Sequence, residues 1–378
     1  MRALRIFAWM MSAGLTLIAS GCSQVNPYYD ATKPHHTPTG FLNNYGAAGG
    51  KPLSDLLRWY VERTRDGLPR APSTHVNGYD FPLAKPDLAW LRSNRTEPSI
   101  TWVGHATLLL QVGGLNILTD PHFSERAFAV QWMGPKRRVP LAVTLDELPR
   151  IDLVVISHSH YDHLDRDSVL ALNSQPGGPP LFLVPLGVER WLADQGVTRT
   201  QALDWWGQVQ HGGVEVHFVP SQHWSARTPF DRNSTLWGGW VIRHPGFSFY
   251  FAGDTGYSND FRDIGGRFGG FDLAAIPVGA YLPRWFMKDQ HVDPDEAVQI
   301  HRDVKSRLSV GIHWGSFELT DEPLDAPIGE LAQARRRHGV ADDAFVLLRH
   351  GETRRLSDTA VKGRGASGVQ RHDSQRSP

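Results

Sequence analysis

The chain is predicted to fold as an αββα sandwich, an α/β architecture in which two sheets pack face to face beneath outer helices. Three observations predict it. Short β-branched apolar runs recur through the middle of the chain, each closed by polar punctuation. Some are joined as hairpins and others are separated by helical stretches. Several end directly on histidine or aspartate, as if their tips shared one edge.

The first residues stand apart from this pattern. Arg2 and Arg5 precede an apolar stretch from Ile6 to Ile18, followed by Ala19-Ser20-Gly21-Cys22. That stretch is too short to span a bilayer comfortably and ends in small residues, so 1–21 read as a cleaved export signal. Cys22, the single cysteine, stands where bacterial lipoproteins are acylated. The chain is therefore expected to be exported and lipid-anchored in the cell envelope. Ser23 points to the outer membrane of a Gram-negative cell. Residues 22–50 read as the lipidated N-terminus and a linker, with Asn26-Pro27, Lys33-Pro34 and Thr37-Pro38-Thr39-Gly40 forming a tether or extended arm. One domain is expected over 51–355, and 356–378 read as a disordered tail, polar and rich in Gly, Ser and Arg.

Within the domain, Thr107–Val112 and Leu115–Leu118 flank Gly113-Gly114, a hairpin signal. Ile151 to Ile156 is a short β-branched run and reads as a buried strand. Val214–Val219 leads to Gln222-His223, Phe247–Phe251 to Gly253-Asp254-Thr255, Phe271–Ile276 to Pro277, and Leu308–Ile312 to His313. A helix is predicted from Pro294 to Val304, because Asp293 with Glu296 three residues on makes a capping-box start with proline at the first helical position.

The densest chemical signal follows the run at 151–156: His158-Ser159-His160-Tyr161-Asp162-His163. Imidazoles and a carboxylate crowded at the rim of a sheet suit a first-row metal, zinc above all. Read alone, His223 or His313 is an ordinary hydrogen-bonded histidine and Asp254 a turn residue. Beside the cluster, each at a strand end, they complete a set of seven: His158, His160, Asp162, His163, His223, Asp254 and His313. Seven exceeds what one catalytic zinc takes and suits two metals sharing a carboxylate.

The order His-x-His-x-Asp-His, then His, Asp and His, resembles the metallo-β-lactamase superfamily. Longer stretches sharpen the match: Gly104-His105-Ala106-Thr107, Met133-Gly134-Pro135-Lys136, the run 157–165 (SHSHYDHLD), Gln222-His223-Trp224, 251–257 (FAGDTGY), 276–286 (IPVGAYLPRWF), 290–294 (QHVDP) and 312–315 (IHWG). Together, from about residue 80 to 355, these resemble the N-acylphosphatidylethanolamine-hydrolysing phospholipases D. The resemblance implies a metallo-β-lactamase-type sandwich and two Zn²⁺ per chain, with iron or manganese also accepted by such ligands. It implies that His158, His160 and His223 hold one ion, that Asp162, His163 and His313 hold the other, and that Asp254 bridges. Asp162, Asp254 and His291 are then the expected catalytic residues, His291 positioning substrate or protonating the leaving oxygen. Tyr161, Trp224, Arg284 and Trp285 are the expected substrate contacts, with Lys288 an alternative to Arg284. The implied reaction converts N-acyl-phosphatidylethanolamine to N-acylethanolamine and phosphatidic acid.

Bulk composition narrows the rivals. With 378 residues and equal acid and base counts, the formal net charge is zero, which argues against a nucleic-acid partner. A phospholipid substrate and a membrane reached by the N-terminal lipid are the expected partners. The oligomeric state is left open, a dimer included. Two other readings are carried forward: a lactonase or hydrolase of a small phosphorylated metabolite, whose site should be open and polar, and a non-catalytic metal-binding envelope lipoprotein. Thirteen tryptophans are many for this length, and those near the motifs suit an acyl channel or membrane-facing rim.

Overall fold

Apolar alternation divides the strands of this protein between two cores. In β4 (Thr107–Val112), Leu108 and Leu110 join the core between the sheets, while Leu109 points to the opposite face and joins a second core under helices. This is the two-residue period of a strand buried on both faces. The computed structural model describes residues 25–46, 51–69 and 79–356. The expected leader, Cys22 and residues 357–378 of the expected tail lie outside the described residues; Leu356, placed at the start of that tail, is instead buried in the main core, its N–H donating to Pro98 O at 2.8 Å.

Two seven-stranded mixed sheets result. The first carries, in spatial order, β16 (Thr353–Arg355), β3 (Ser99–Gly104), β4, β5 (Leu115–Thr119), β6 (Leu153–Val155), β7 (Leu181–Pro185) and β8 (Thr200–Leu203). The second carries β15 (Phe345–Val346), β14 (Ser306–Ile312), β13 (Phe271–Pro277), β12 (Phe247–Phe251), β11 (Gly239–His244), β10 (Val214–Val219) and β9 (Gln208–His211). Helices α3 (Arg166–Asn173) and α4 (Val188–Asp194) supply Val169, Leu172, Val188 and Leu192 to the outer core of the first sheet. Helices α5 (Asp260–Phe268), α7 (Pro294–Asp303) and α8 (Ala326–His338) contribute Phe261, Ile264, Val298, Ile300 and Leu331 to the larger core. The arrangement is the αββα sandwich.

The hairpin at Gly113-Gly114 forms with both φ values positive, 60° and 80°, as a tight turn between antiparallel strands requires. The helix expected from Pro294 forms with both halves of its capping box: the Asp293 side chain accepts from Glu296 N at 2.9 Å, and Glu296 accepts from Asp293 N at 3.4 Å.

Strand direction positions the site. β5 and β6 run parallel, as do β12, β13 and β14. β10 and β12 are both antiparallel to β11 and so run alike. The carboxyl ends of β5, β6, β10, β12 and β14 therefore open onto one rim of the sandwich, where ligands collect in open α/β sheets.

The N-terminal segment departs from a free tether. Residues 25–46 lie against the domain, with β1 (His36–Thr37) paired to β2 (Gly40–Phe41) and Phe41 buried in the main core. Helix α1 (Leu53–Asp66) follows and has no buried residue.

Candidate metal centre

Each ligand-type residue leaves its strand at the same rim. His158 to His163 follow β6, His223 follows β10, Asp254 follows β12 and His313 follows β14. All seven sequence-predicted ligands converge, in two overlapping groups. In the first, His160 Nδ1 lies 2.8 Å from His158 Nε2 and 3.2 Å from His223 Nε2. In the second, Asp162 Oδ2 lies 3.3 Å from His163 Nε2 and 3.2 Å from His313 Nε2. Asp254 Oδ2 sits between them, 3.0 and 3.1 Å from His163 and His313 and 3.9 and 4.0 Å from His158 and His223.

The residues fit a metal. Ligand atoms held tetrahedrally at about 2.0–2.1 Å from zinc stand roughly 3.3 Å apart, the spacing seen within each group. His163 Nε2, His291 Nδ1 and Asp254 Oδ1 are buried without a hydrogen-bond partner, a costly state for polar atoms that have no ligand. Backbone strain gathers at the same rim: His105, Asp120 and His313 adopt left-handed φ of 53°, 34° and 62°.

Electrostatics divide the rings. Burial, reinforced by neighbouring rings, holds His158 well below the usual imidazole range and brings His223 to about 3. Burial likewise brings His160 and His291 to about 3, outweighing the nearby carboxylates. These rings are neutral, as ligands must be. For His163 and His313 burial also opposes the charge, but Asp254 and Asp162 outweigh it, raising His163 strongly and His313 to about 9. Burial alone would raise Asp162 and Asp254. Facing His163 and its neighbours, both stay well below the carboxylate range.

Supporting groups surround the ligands, and two of these were missed by strand-tip reading. Asp120 follows β5 as directly as His158 follows β6; its Oδ2 lies 2.7 Å from His163 Nδ1, and its Oδ1 accepts from Ser157 N at 2.7 Å. The missed signal was its place at a strand tip. His105, inside a quoted motif but given no role, places Nε2 2.9 Å from Asp162 Oδ2, and its carbonyl accepts from His313 N at 3.0 Å. The Gln290 carbonyl lies 2.9 Å from His223 Nδ1, leaving Nε2 to face the group.

A cleft of about 310 Å³ opens over the centre, lined by Lys51, Leu56, Trp59, Trp224, Arg232, Phe286 and Met287 as well as His160, Asp162, Asp254 and His291. Of the expected substrate contacts, Trp224 lines it, edge-on to His160 at 4.3 Å between ring centres. Tyr161 does not. It faces a neighbouring groove with Phe128 and Trp132, its hydroxyl donating to Arg227 O at 2.7 Å. Arg284 also does not line the cleft. Its guanidinium donates to Glu296 Oε2 at 2.6 Å and to the His291 carbonyl at 2.8 Å, so its charge is spent inside the protein. Trp285 stands at the surface beneath Arg58, whose guanidinium lies 4.2 Å from its ring centre. The cations at the cleft are instead Arg232, stacked on Trp224 at 4.1 Å, and Lys51, whose Nζ pairs with Asp289 at 2.7 Å.

Comparison with known proteins places this geometry among relatives. Residues 115–314 match the family described as β-lactamase superfamily domain. The chain is 41% identical over 274 residues to N-acyl-phosphatidylethanolamine-hydrolyzing phospholipase D 1 of Caenorhabditis elegans, covering 68% of this chain and 76% of that protein. It is 35% identical over 253 residues to the mitochondrial N-acyl-phosphatidylethanolamine-hydrolyzing phospholipase D of Saccharomyces cerevisiae, covering 65% of this chain and 53% of that one. Among solved structures, the Igni18 metallo hydrolase of Ignicoccus hospitalis aligns with a TM-score of 0.54 at 22% identity over 69% of this chain and 98% of its own. The isothiocyanate hydrolase from Delia radicum gut bacteria aligns at 0.55 and 21%, over 68% and 98%. At such identities the two structures speak for the fold alone.

Proposed function

The chain belongs to the β-lactamase superfamily and, within it, to the N-acyl-phosphatidylethanolamine-hydrolysing phospholipase D family, and from that premise we propose that it hydrolyses N-acyl-phosphatidylethanolamine to N-acylethanolamine and phosphatidic acid. It is a metal-dependent hydrolase. One observation carries the lipid reading: the paired ligand groups lie at the floor of a cleft walled by Trp59, Trp224, Phe286, Met287 and Leu56. A site for a lactone or small phosphorylated metabolite would be open and polar. These walls suit acyl chains.

In this reading His158, His160 and His223 would hold one ion and Asp162, His163 and His313 the other, with Asp254 shared between them. Zinc is the expected metal at both. When bound, two such cations lower the pKa of a water towards about 7 and draw charge from a phosphoryl group. The chain's own residues do the rest. Asp120 and the Gln290 carbonyl fix the rings of His163 and His223, so that each presents Nε2 inward. Arg232, stacked on Trp224 at the cleft, would meet the lipid phosphate, whereas Lys51 is already paired with Asp289. His291, neutral with Nδ1 3.9 Å from Asp254, fits a hydrogen-bond donor to a phosphoryl or leaving oxygen better than a strong acid. In the reaction a new P–O bond forms from water, the bond to the ethanolamine oxygen breaks, and that oxygen takes up a proton.

Helix α1 supports delivery from a membrane surface. Leu53, Leu57, Tyr60 and Val61 recur at helical spacing and are 63%, 40%, 53% and 61% exposed, beside a cleft to which the same helix lends Leu56 and Trp59. Among the described residues no helix is long and apolar enough to cross a membrane. Acylation of Cys22 in the outer membrane would keep this face at the lipid surface, since one such anchor works best with a second contact. The reading is tested by offering the metal-replete protein N-acyl-phosphatidylethanolamine in vesicles, a short-chain soluble phosphodiester and a lactone. Release of N-acylethanolamine with phosphatidic acid supports it; turnover of the lactone alone defeats it.

A further inference from the structure

The N-terminal arm reaches the metal centre through one side chain. Asn43 Oδ1 accepts from the backbone N–H of His223 at 3.1 Å, and its Nδ2 donates to the His223 carbonyl at 3.1 Å. The amide thus grips both backbone groups of a predicted ligand, as a neighbouring strand would. Its orientation is fixed independently. The indole nitrogen of Trp237, which can only donate, lies 2.9 Å from Oδ1.

We propose that Asn43 is a positioning residue of the metal centre, and that the arm 25–46 is a structural part of that centre. His223 lies past the end of the β10 ladder at Val219, one residue beyond the isolated bridge of Gln222 with Gly256. Its ring is held at Nδ1 by the Gln290 carbonyl, and its backbone by Asn43. Fixing a ligand at backbone and ring removes conformational freedom that metal binding would otherwise have to freeze.

The arm is seated for this task at both ends of Asn43. Before it, Phe41 is 1% exposed in the main core, and its N–H donates to Asn233 O at 3.0 Å. Further back, His35 Nε2 and His36 Nε2 lie 2.8 and 3.0 Å from the two oxygens of Asp204, where Lys33 also pairs. His35 stacks on Trp205 at 4.4 Å between ring centres. Lys33, His35 and His36 thus gather on one carboxylate. After it, Asn44 Nδ2 donates to Asp260 Oδ1 at 3.0 Å and the Tyr45 hydroxyl to Asp263 at 2.8 Å. Asn43 is thereby delivered by a segment anchored in the core beside Asn233, at Asp204 and Trp205, and on α5.

The inference rests on the reading of these rings as metal ligands and not on the identity of the substrate. Its test uses the full-length protein with zinc as the probe. Chelator-competition titration should show Asn43→Ala binding zinc about ten-fold more weakly at the His223 group, the loss typical of groups that orient a ligand. Asn43→Asp keeps the acceptor but sets a carboxylate oxygen against the His223 carbonyl, and should fail to restore affinity. Because coupling is reciprocal, zinc should slow amide hydrogen exchange across residues 35–46 in the parent, and this protection should shrink in Asn43→Ala. Circular dichroism of the metal-free variants guards against a folding defect. Unchanged affinity in folded Asn43→Ala, or exchange in the arm indifferent to zinc, overturns the inference. A parent protein that takes up no zinc or other first-row metal overturns instead the reading on which it rests.

Discussion

Asp120 grips His163 from behind: its Oδ2 lies 2.7 Å from Nδ1 of the ring, and both side chains are wholly buried. The opposite nitrogen, Nε2, is thereby turned to Asp254 at 3.0 Å. A carboxylate behind a ligating imidazole fixes its tautomer and raises its basicity. Asp120→Asn is expected to weaken metal binding by about 10–100-fold while leaving the protein folded. Competition titration and circular dichroism on the same sample check both halves.

Protons should compete with metal at His163 and His313. In the metal-free protein the facing carboxylates outweigh burial, keeping both rings protonated above the ordinary imidazole range, His313 to about 9. Binding must expel these protons, so affinity should rise with pH through neutrality and flatten above about 9. The sign for folding follows. Raised pKa values add stability to the metal-free form below about 6.5, the unfolded value, and this is lost as pH rises through about 9. Calorimetric titration at pH 7 in buffers of different ionisation enthalpy should report proton release; buffer-independent heats would contradict the assignment.

Helix α1 gives a separable prediction. Replacing exposed Leu57 and Val61 together by glutamate adds charge to the face read as lipid-seeking without touching the cleft lining. Vesicle binding and turnover of the vesicle-borne lipid should drop at least about ten-fold, since each lost apolar contact and each added charge costs on the order of 1 kcal/mol at such a surface. Turnover of a short-chain soluble phosphodiester should stay within about two-fold. Parallel losses on both substrates would remove α1 from the membrane surface.

Arg284 offers a check on the corrected assignment. Because it pairs with Glu296 at 2.6 Å and braces the His291 carbonyl at 2.8 Å, Arg284→Ala should lower the melting temperature. The fall in turnover should arise through kcat as His291 loosens, with little change in KM. A large rise in KM with unaltered stability would return Arg284 to the substrate.

The sandwich and the seven candidate ligands were legible because one local rule serves both. A buried strand reads as an apolar run, and a residue just beyond it must stand at the rim, as His158, Asp254 and His313 do. Asp120 obeys the same rule and was passed over because a single carboxylate after Thr119 looks like a turn. The arm was not legible. Its Pro, Asn, Thr and Gly carry no periodicity, and Asn43 finds His223 across 180 residues of chain. Arg284 misled for the same reason: which carboxylate neutralises an arginine depends on packing, not on its neighbours in sequence.

The most direct measurement is anomalous diffraction from crystals of the metal-replete protein, with metal content determined on the same preparation. The account predicts two peaks flanking Asp254, one beside His158, His160 and His223 and the other beside Asp162, His163 and His313, and two metals per chain. A lone peak with a stoichiometry of one, or side chains turned away from one another around Asp254, would contradict it.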